Sequence, residues 1–260
     1  MPNIRTGAIG FALFLAGCAG DATGPDLTPL QSLALNRDVA LIVADAASQD
    51  VEIIGGPVGT FGLGLGAGTD AAEEPNHPFR CGTHERDHLT IVRSCTFKDA
   101  AGATQSGYDP LTTASAAVHA EIDGEIEREN WSASVHRVRE LTVTGLAGTE
   151  TQRTWNGTGT GTATRSRHRE NAEIRQYDIS ATSVITNVVV GVPRSENEWP
   201  LSGTIAKQVT ITITGGPHDG ETRTRTVLIT FNGTQFVPIK VNDNTFTFDL
   251  KIRRIIRDDS

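Results

Sequence analysis

One short pattern of histidine and glutamate combines side chains that can bind a metal ion and activate water. The pattern has the form His-Glu-x-x-His and consists of His84, Glu85, Arg86, Asp87 and His88. On a helix, histidines four positions apart lie on one face and can bind zinc together, and the glutamate can then activate a zinc-bound water. The pattern therefore raises one hypothesis for the function, a zinc-dependent hydrolase.

The residues around this pattern do not favour the helix that such chemistry needs. Pro78 lies shortly before it, and the apolar, β-branched stretch Leu89-Thr90-Ile91-Val92 follows directly. We therefore interpret residues 84–88 as a polar surface loop and predict no metal ligand and no catalytic residue in it. The alternative keeps His84 and His88 as zinc ligands and Glu85 as the base.

The N-terminus carries an export signal. Arg5 precedes an apolar stretch, Ala8 to Gly17, which is shorter than the roughly 20 apolar residues of a permanent membrane helix. The stretch ends in Leu15-Ala16-Gly17-Cys18, and small residues before a cysteine resemble the lipobox of bacterial lipoproteins. The resemblance implies cleavage before Cys18, attachment of diacylglycerol to its sulfur and acylation of the new amine, which together anchor a chain stably.

The same resemblance implies a cellular location and a division of the chain. Ala19, rather than an aspartate, follows the cysteine, which by likeness to lipoproteins of cells with two membranes implies the outer membrane, on its periplasmic or surface side. We predict a signal peptide over residues 1–17 and a lipidated tether over 18–29, rich in Gly, Pro, Thr and Asp. Residues 30–260 are long enough for a single β-rich domain.

Two further cysteines flank the histidine–glutamate pattern. Cys81 and Cys95 lie 14 positions apart, and an even pair in an oxidising compartment predicts a disulfide. Closing a loop of this length contributes on the order of 3 kcal/mol to stability. A second alternative stays open, in which these two thiols bind zinc together with His84 and His88.

Apolar spacing predicts one helix and then many strands. Residues 30–47 place apolar side chains at helical intervals, which favours an amphipathic helix. From Leu89 onward, apolar and polar residues alternate, as in 209–214, and turn signals such as Asn232-Gly233 separate the runs. We predict a mainly β fold, a long-stranded antiparallel meander that forms an open sheet or half-barrel with one wet face, preceded by the helix.

The alternation places charged residues on the wet face. A turn at Glu129-Asn130 would set Asp123 opposite His136 across two strands. This pair, or the row of carboxylates from Glu121 to Glu127, has the groups that acid–base catalysis uses. A charged row on a strand is more commonly a solvated face, and we predict no catalysis there.

Alternate glycines occur within the run from Asn156 to Thr162. The run lacks the third glycine of a dinucleotide fingerprint and the lysine of a phosphate loop. Alternate glycines instead leave one strand face bare, which predicts a tight bend or the close approach of another element, with the helix or Trp155 as candidates.

Charge and composition exclude one class of partner. The net charge is −8, whereas nucleic-acid binding needs a basic surface. We predict a membrane-anchored, non-enzymatic envelope lipoprotein without a cofactor, a structural or binding module. The helix-then-meander order resembles lipoprotein carriers, which implies an apolar ligand; an envelope protein is the other partner we consider.

Overall fold

A computed structural model of the chain describes most of the region in which strands are predicted. The described residues are 81–86, 88–128, 131–148, 150–167, 175–192, 196–215, 218–251 and 254–256. The predicted helix over 30–47, the tether and Cys18 lie outside them. Within these ranges, no helix is long and apolar enough to cross a membrane.

Twelve strands occur in the described residues, and all belong to one antiparallel sheet. They are β1 (Gly82–Arg86), β2 (Leu89–Asp99), β3 (Thr104–Gln105), β4 (Thr113–Arg128), β5 (Trp131–Thr144), β6 (Gln152–Arg167), β7 (Arg175–Gly191), β8 (Ser202–Thr214), β9 (Thr222–Thr230), β10 (Phe236–Val241), β11 (Asn244–Asp249) and β12 (Arg254–Ile256). Strands adjacent in sequence pair in order, except that the short β3 pairs only with β2, which also pairs with β4. The predicted long-stranded antiparallel meander is therefore confirmed, in the form of an open sheet.

The strands bury one face of the sheet and expose the other. On β8, the exposed fractions of Val209, Ile211 and Ile213 are 1%, 1% and 2%, whereas Thr210 and Thr212 point to the opposite face. The same alternation runs from β2 to β11, and the buried side chains form one large apolar cluster and a smaller one of Leu89, Ile126, Ala133 and Val135. We call the side of Val209 the buried face and the side of Thr210 the polar face.

The two faces also differ in the sign of their charges. Basic side chains occupy positions of the buried face on β2, β5, β6, β8 and β9: Arg93, Arg137, Arg139, Arg153, Arg165, Lys207, Arg223 and Arg225. At the described positions of β2 and β4–β9 that share this face, the acidic residue is Asp99, at the end of β2. Burial, together with the charge of Arg223, lowers the pKa of Arg225, as expected for a cation removed from water.

Glycines on β6 make room for long side chains from β5. Gly159 lies opposite Arg139, and a Cβ atom there would sit 2.5 Å from the Arg139 Cδ. Arg139 lies across β6 and donates hydrogen bonds of 2.8 Å from Nη1 to the carbonyls of Val138 and Thr160. The close approach predicted from the glycines is present, with this arginine rather than Trp155 as the approaching group; the helix, the other candidate, lies outside the described residues.

Candidate functional site

The His-Glu-x-x-His pattern lies on a strand and a turn. His84 is within β1, opposite Ile91 of β2, and Arg86 pairs with Leu89, so two residues join the strands. His88 is in that turn, with a φ of 69°, and its carbonyl accepts a 3.1 Å hydrogen bond from the backbone of Glu125. The surface loop predicted for 84–88 is thus mostly strand, because its backbone pairs with the β-prone stretch after it. The two histidines are not one helical turn apart, as a zinc hydrolase requires.

The predicted disulfide between Cys81 and Cys95 is present, with a Cα–Cα distance of 5.9 Å. Cys81 immediately precedes β1, and Cys95 lies within β2, so the bond ties the first strand to its neighbour. Both sulfurs are consumed by this bond, which leaves no thiolate for the alternative zinc site.

A cluster of two carboxylates and one imidazole lies on the polar face of β4 and β5. The register sets Asp123 directly opposite His136, as the turn signal predicts. The Asp123 Oδ1 lies 2.6 Å from His136 Nδ1, and the Glu121 Oε1 lies 3.9 Å from the same nitrogen. One potential ligand atom from each of these residues lies within 4.8 Å of the other two. We call Glu121, Asp123 and His136 the carboxylate–histidine cluster.

A second histidine–carboxylate pair lies beside this cluster. His119 is opposite Glu140, with 2.6 Å between Nδ1 and Oε1. The Glu140 side chain is 64% exposed, and exposed ion pairs of this kind add only about 0–1 kcal/mol to stability. Since the fold gains little from these pairs, their arrangement is better considered for what it could bind.

An open groove extends from the cluster across the polar face. Its volume is about 610 Å³. The side chains of the polar face that line it come from β4 to β8: Asp123, Glu125, Ser134, His136, Thr162, Thr164, Asp178, Ser180, Thr210 and Thr212. Strand register aligns them in rows, so that His136, Thr162, Ser180 and Thr210 are successive partners across four strands. The groove is therefore lined mainly by hydroxyls, with the imidazole and carboxylates at one end.

Hydrogen bonds hold several of these hydroxyls in place. The Thr164 hydroxyl donates to Asp178 Oδ1 at 2.9 Å. The hydroxyls of Thr210 and Thr224 are 3.1 Å apart, and β8 and β9 repeat this cross-strand pairing one step further along. Each hydroxyl can both donate and accept, so the groove offers an ordered array of hydrogen-bonding groups to a polar ligand.

The arrangement has three chemical capacities. The imidazole of His136, oriented by Asp123, could accept a proton; the cluster could bind a cation; and the hydroxyl rows could bind a polar molecule.

The sequence predicts the Asp123–His136 pair but not the groove. In the sequence, the groove is indicated only by the alternating threonines of β6 and β8. Their alternation shows that they share one face of a strand, but it does not show which residues of the neighbouring strands lie beside them. Comparisons with protein-family models, with curated proteins and with solved structures give no match for this chain.

Proposed function

We propose that this protein is a membrane-anchored envelope lipoprotein that acts as a non-enzymatic binding module, with its ligand on the polar face. The groove over β4–β8 carries the proposal, because it is the large accessible concavity that converging polar side chains line. A sheet of paired strands holds these groups at fixed spacing, which lowers the entropic cost of binding. The lipid on Cys18, implied by the lipobox resemblance, would keep the module at the outer membrane.

The chemistry of the groove favours a ligand rich in hydroxyl groups, such as an envelope polysaccharide. Thr162, Ser180 and Thr210 can each donate and accept hydrogen bonds, and Asp178 and His136 add stronger partners at its borders. An apolar ligand, the other class that the sequence suggests, would have to occupy the buried face, where side chains such as Ile205 are already excluded from water. We therefore favour the polar ligand.

The predicted helix over 30–47 would complete this arrangement by packing on the buried face. An amphipathic helix needs an apolar surface on which to bury its own apolar side, and the buried face offers one in side chains such as Val209, Ile211 and Ile229. A helix on that side would leave the polar face toward the ligand.

Binding of purified envelope polysaccharide to the mature protein in detergent tests the proposal. Thr162→Val and Thr210→Val keep the β-branched shape but remove hydroxyls from the groove, so each should weaken binding several-fold. Thr96→Val is the matched control, because Thr96 is an exposed strand threonine on β2, outside the groove.

Equal weakening in all three variants, or none in any, would contradict the proposal. Organic extraction of protein purified from its native membrane tests the alternative, an apolar ligand. A stoichiometric lipid in the extract, retained in the groove variants, would favour the apolar ligand instead.

A further inference from the structure

We infer that the carboxylate–histidine cluster is a zinc site, with Glu121, Asp123 and His136 as its three protein ligands. The inference rests on the proposed function only in that both use the polar face. It adds that a metal ion stands at the end of the groove, where a bound ligand could complete its coordination.

The distances in the cluster are close to those of a zinc site. Tetrahedral zinc with bonds of about 2.0–2.2 Å keeps its ligand atoms roughly 3.4 Å apart. His136 Nδ1 lies 2.6 Å from Asp123 and 3.9 Å from Glu121. The first distance would widen by about 0.8 Å and the second shorten by about 0.5 Å to meet that geometry. The three side chains are 42–52% exposed, so rotations of this size meet little steric resistance.

The sheet holds the three side chains on one face before any metal binds. Glu121 and Asp123 are two positions apart on β4, so their side chains point the same way. β4 and β5 pair without interruption from Ser115 to Arg128, which fixes His136 beside them. This distinguishes the cluster from an acidic loop, in which the metal alone would have to order the ligands.

The ligand set and the local field favour zinc over the common hard cations. An imidazole nitrogen is a poor ligand for Ca²⁺ and Mg²⁺ but a common one for zinc. On the polar face of β4–β8, the described residues include Glu125, Glu140 and Asp178 around the cluster but no Lys or Arg. A face that carries several carboxylates attracts cations. Three protein ligands leave the fourth zinc position for water or for a ligand group from the groove.

Calorimetric titration of the mature protein, dialysed against EDTA and then into metal-free buffer, with Zn²⁺ alone tests the site. We expect one zinc per chain. His136→Ala and Glu121→Gln should each weaken binding at least about 10–100-fold, the loss typical even of residues that only orient a ligand.

Two histidine variants serve as controls. His119→Ala removes the matching pair, which has one carboxylate instead of two, and His88→Ala removes a residue of the His-Glu-x-x-His pattern. Both should leave zinc affinity unchanged. Zinc binding that survives His136→Ala, or that either control abolishes, would overturn the site, as would absence of binding up to millimolar zinc. Circular dichroism should show wild-type strand content in every variant, and Asp123→Asn, which changes no side-chain volume, provides a second test should a variant misfold.

The failure of the zinc site and that of the proposed function are separable. Polysaccharide binding that persists in EDTA, in a protein that takes up no zinc, would refute the site and leave the binding module. Zinc binding that depends on His136, in a protein that binds no polysaccharide, would support the site and refute the proposed ligand class.

Discussion

Replacing Gly159 by alanine tests whether the burial of Arg139, on β5, requires that position 159 of β6 has no side chain. In an ordinary strand, alanine is more stable than glycine by about 0.5–1 kcal/mol, because glycine loses more conformational freedom on folding. Gly159 has no positive φ, so backbone strain does not oppose the change. The structure predicts the opposite sign, because the new Cβ would lie 2.5 Å from the Arg139 Cδ and 2.7 Å from its Nε and Nη1.

The expected loss of stability follows from what Arg139 would give up. Its side chain is buried, with 4% of its surface exposed, and it donates to the carbonyls of Val138 and Thr160. Hydrogen bonds from a charged group contribute about 1.5–3 kcal/mol each to stability. A displaced guanidinium can form hydrogen bonds with water instead, which offsets part of this loss. We expect Gly159→Ala to lower the free energy of unfolding by about 2–4 kcal/mol.

Urea unfolding followed by circular dichroism measures this change, and a double-mutant cycle assigns it. In an Arg139→Ala background, Gly159→Ala should cost nothing or stabilise slightly, so that the two changes are coupled by at least about 2 kcal/mol. Gly107→Ala is the control, because it meets no atom within 4 Å and should alter stability by less than about 0.5 kcal/mol. A Gly159→Ala variant as stable as the wild type, or an equal loss with and without Arg139, would refute the reasoning.

Three further predictions concern the anchor, the disulfide and one carboxylate. Cys18→Ser should leave the signal peptide uncleaved and abolish metabolic labelling with a fatty acid; label retained in the variant would exclude Cys18 as the lipidation site. Cys95→Ser should lower the free energy of unfolding by about 3 kcal/mol, and reduced wild-type protein should show the same loss, whereas a stability equal to that of the oxidised protein would contradict it. Burial raises the pKa of Glu221, but hydrogen bonds and charge from Arg223 and His218 outweigh it and hold the pKa below its usual value, with 2.6 Å from Arg223 Nη2 to Glu221 Oε2. The ionised Glu221 therefore stabilises the fold above about pH 4.3, and this stabilisation is lost as pH falls through the lowered folded pKa. Glu221→Gln should lower the free energy of unfolding by about 1 kcal/mol at pH 7 and leave it unchanged near pH 2. A difference in urea unfolding that does not depend on pH would contradict this.

Local sequence patterns were enough to predict the meander and part of the site. Alternation of apolar and polar residues shows which side chains share a face, and a turn signal fixes the register of the strand that follows. The pairing of Asp123 with His136 could be predicted for this reason, since the turn signal Glu129-Asn130 separates two runs whose polar positions then face each other. The disulfide could be predicted as well, because only one pair of cysteines remains after Cys18.

Features that depend on several strands at once could not be predicted from local sequence patterns. The row from His136 to Thr210 requires the registers of four strands to be added together, and one shift in any of them would change which hydroxyls meet. Whether residues 84–86 form loop or strand depended on an edge offered by β2, and the glycine run did not identify Arg139 as its neighbour. Local patterns in the sequence fix the direction of each side chain, but its neighbours two strands away are set by pairing across the whole sheet.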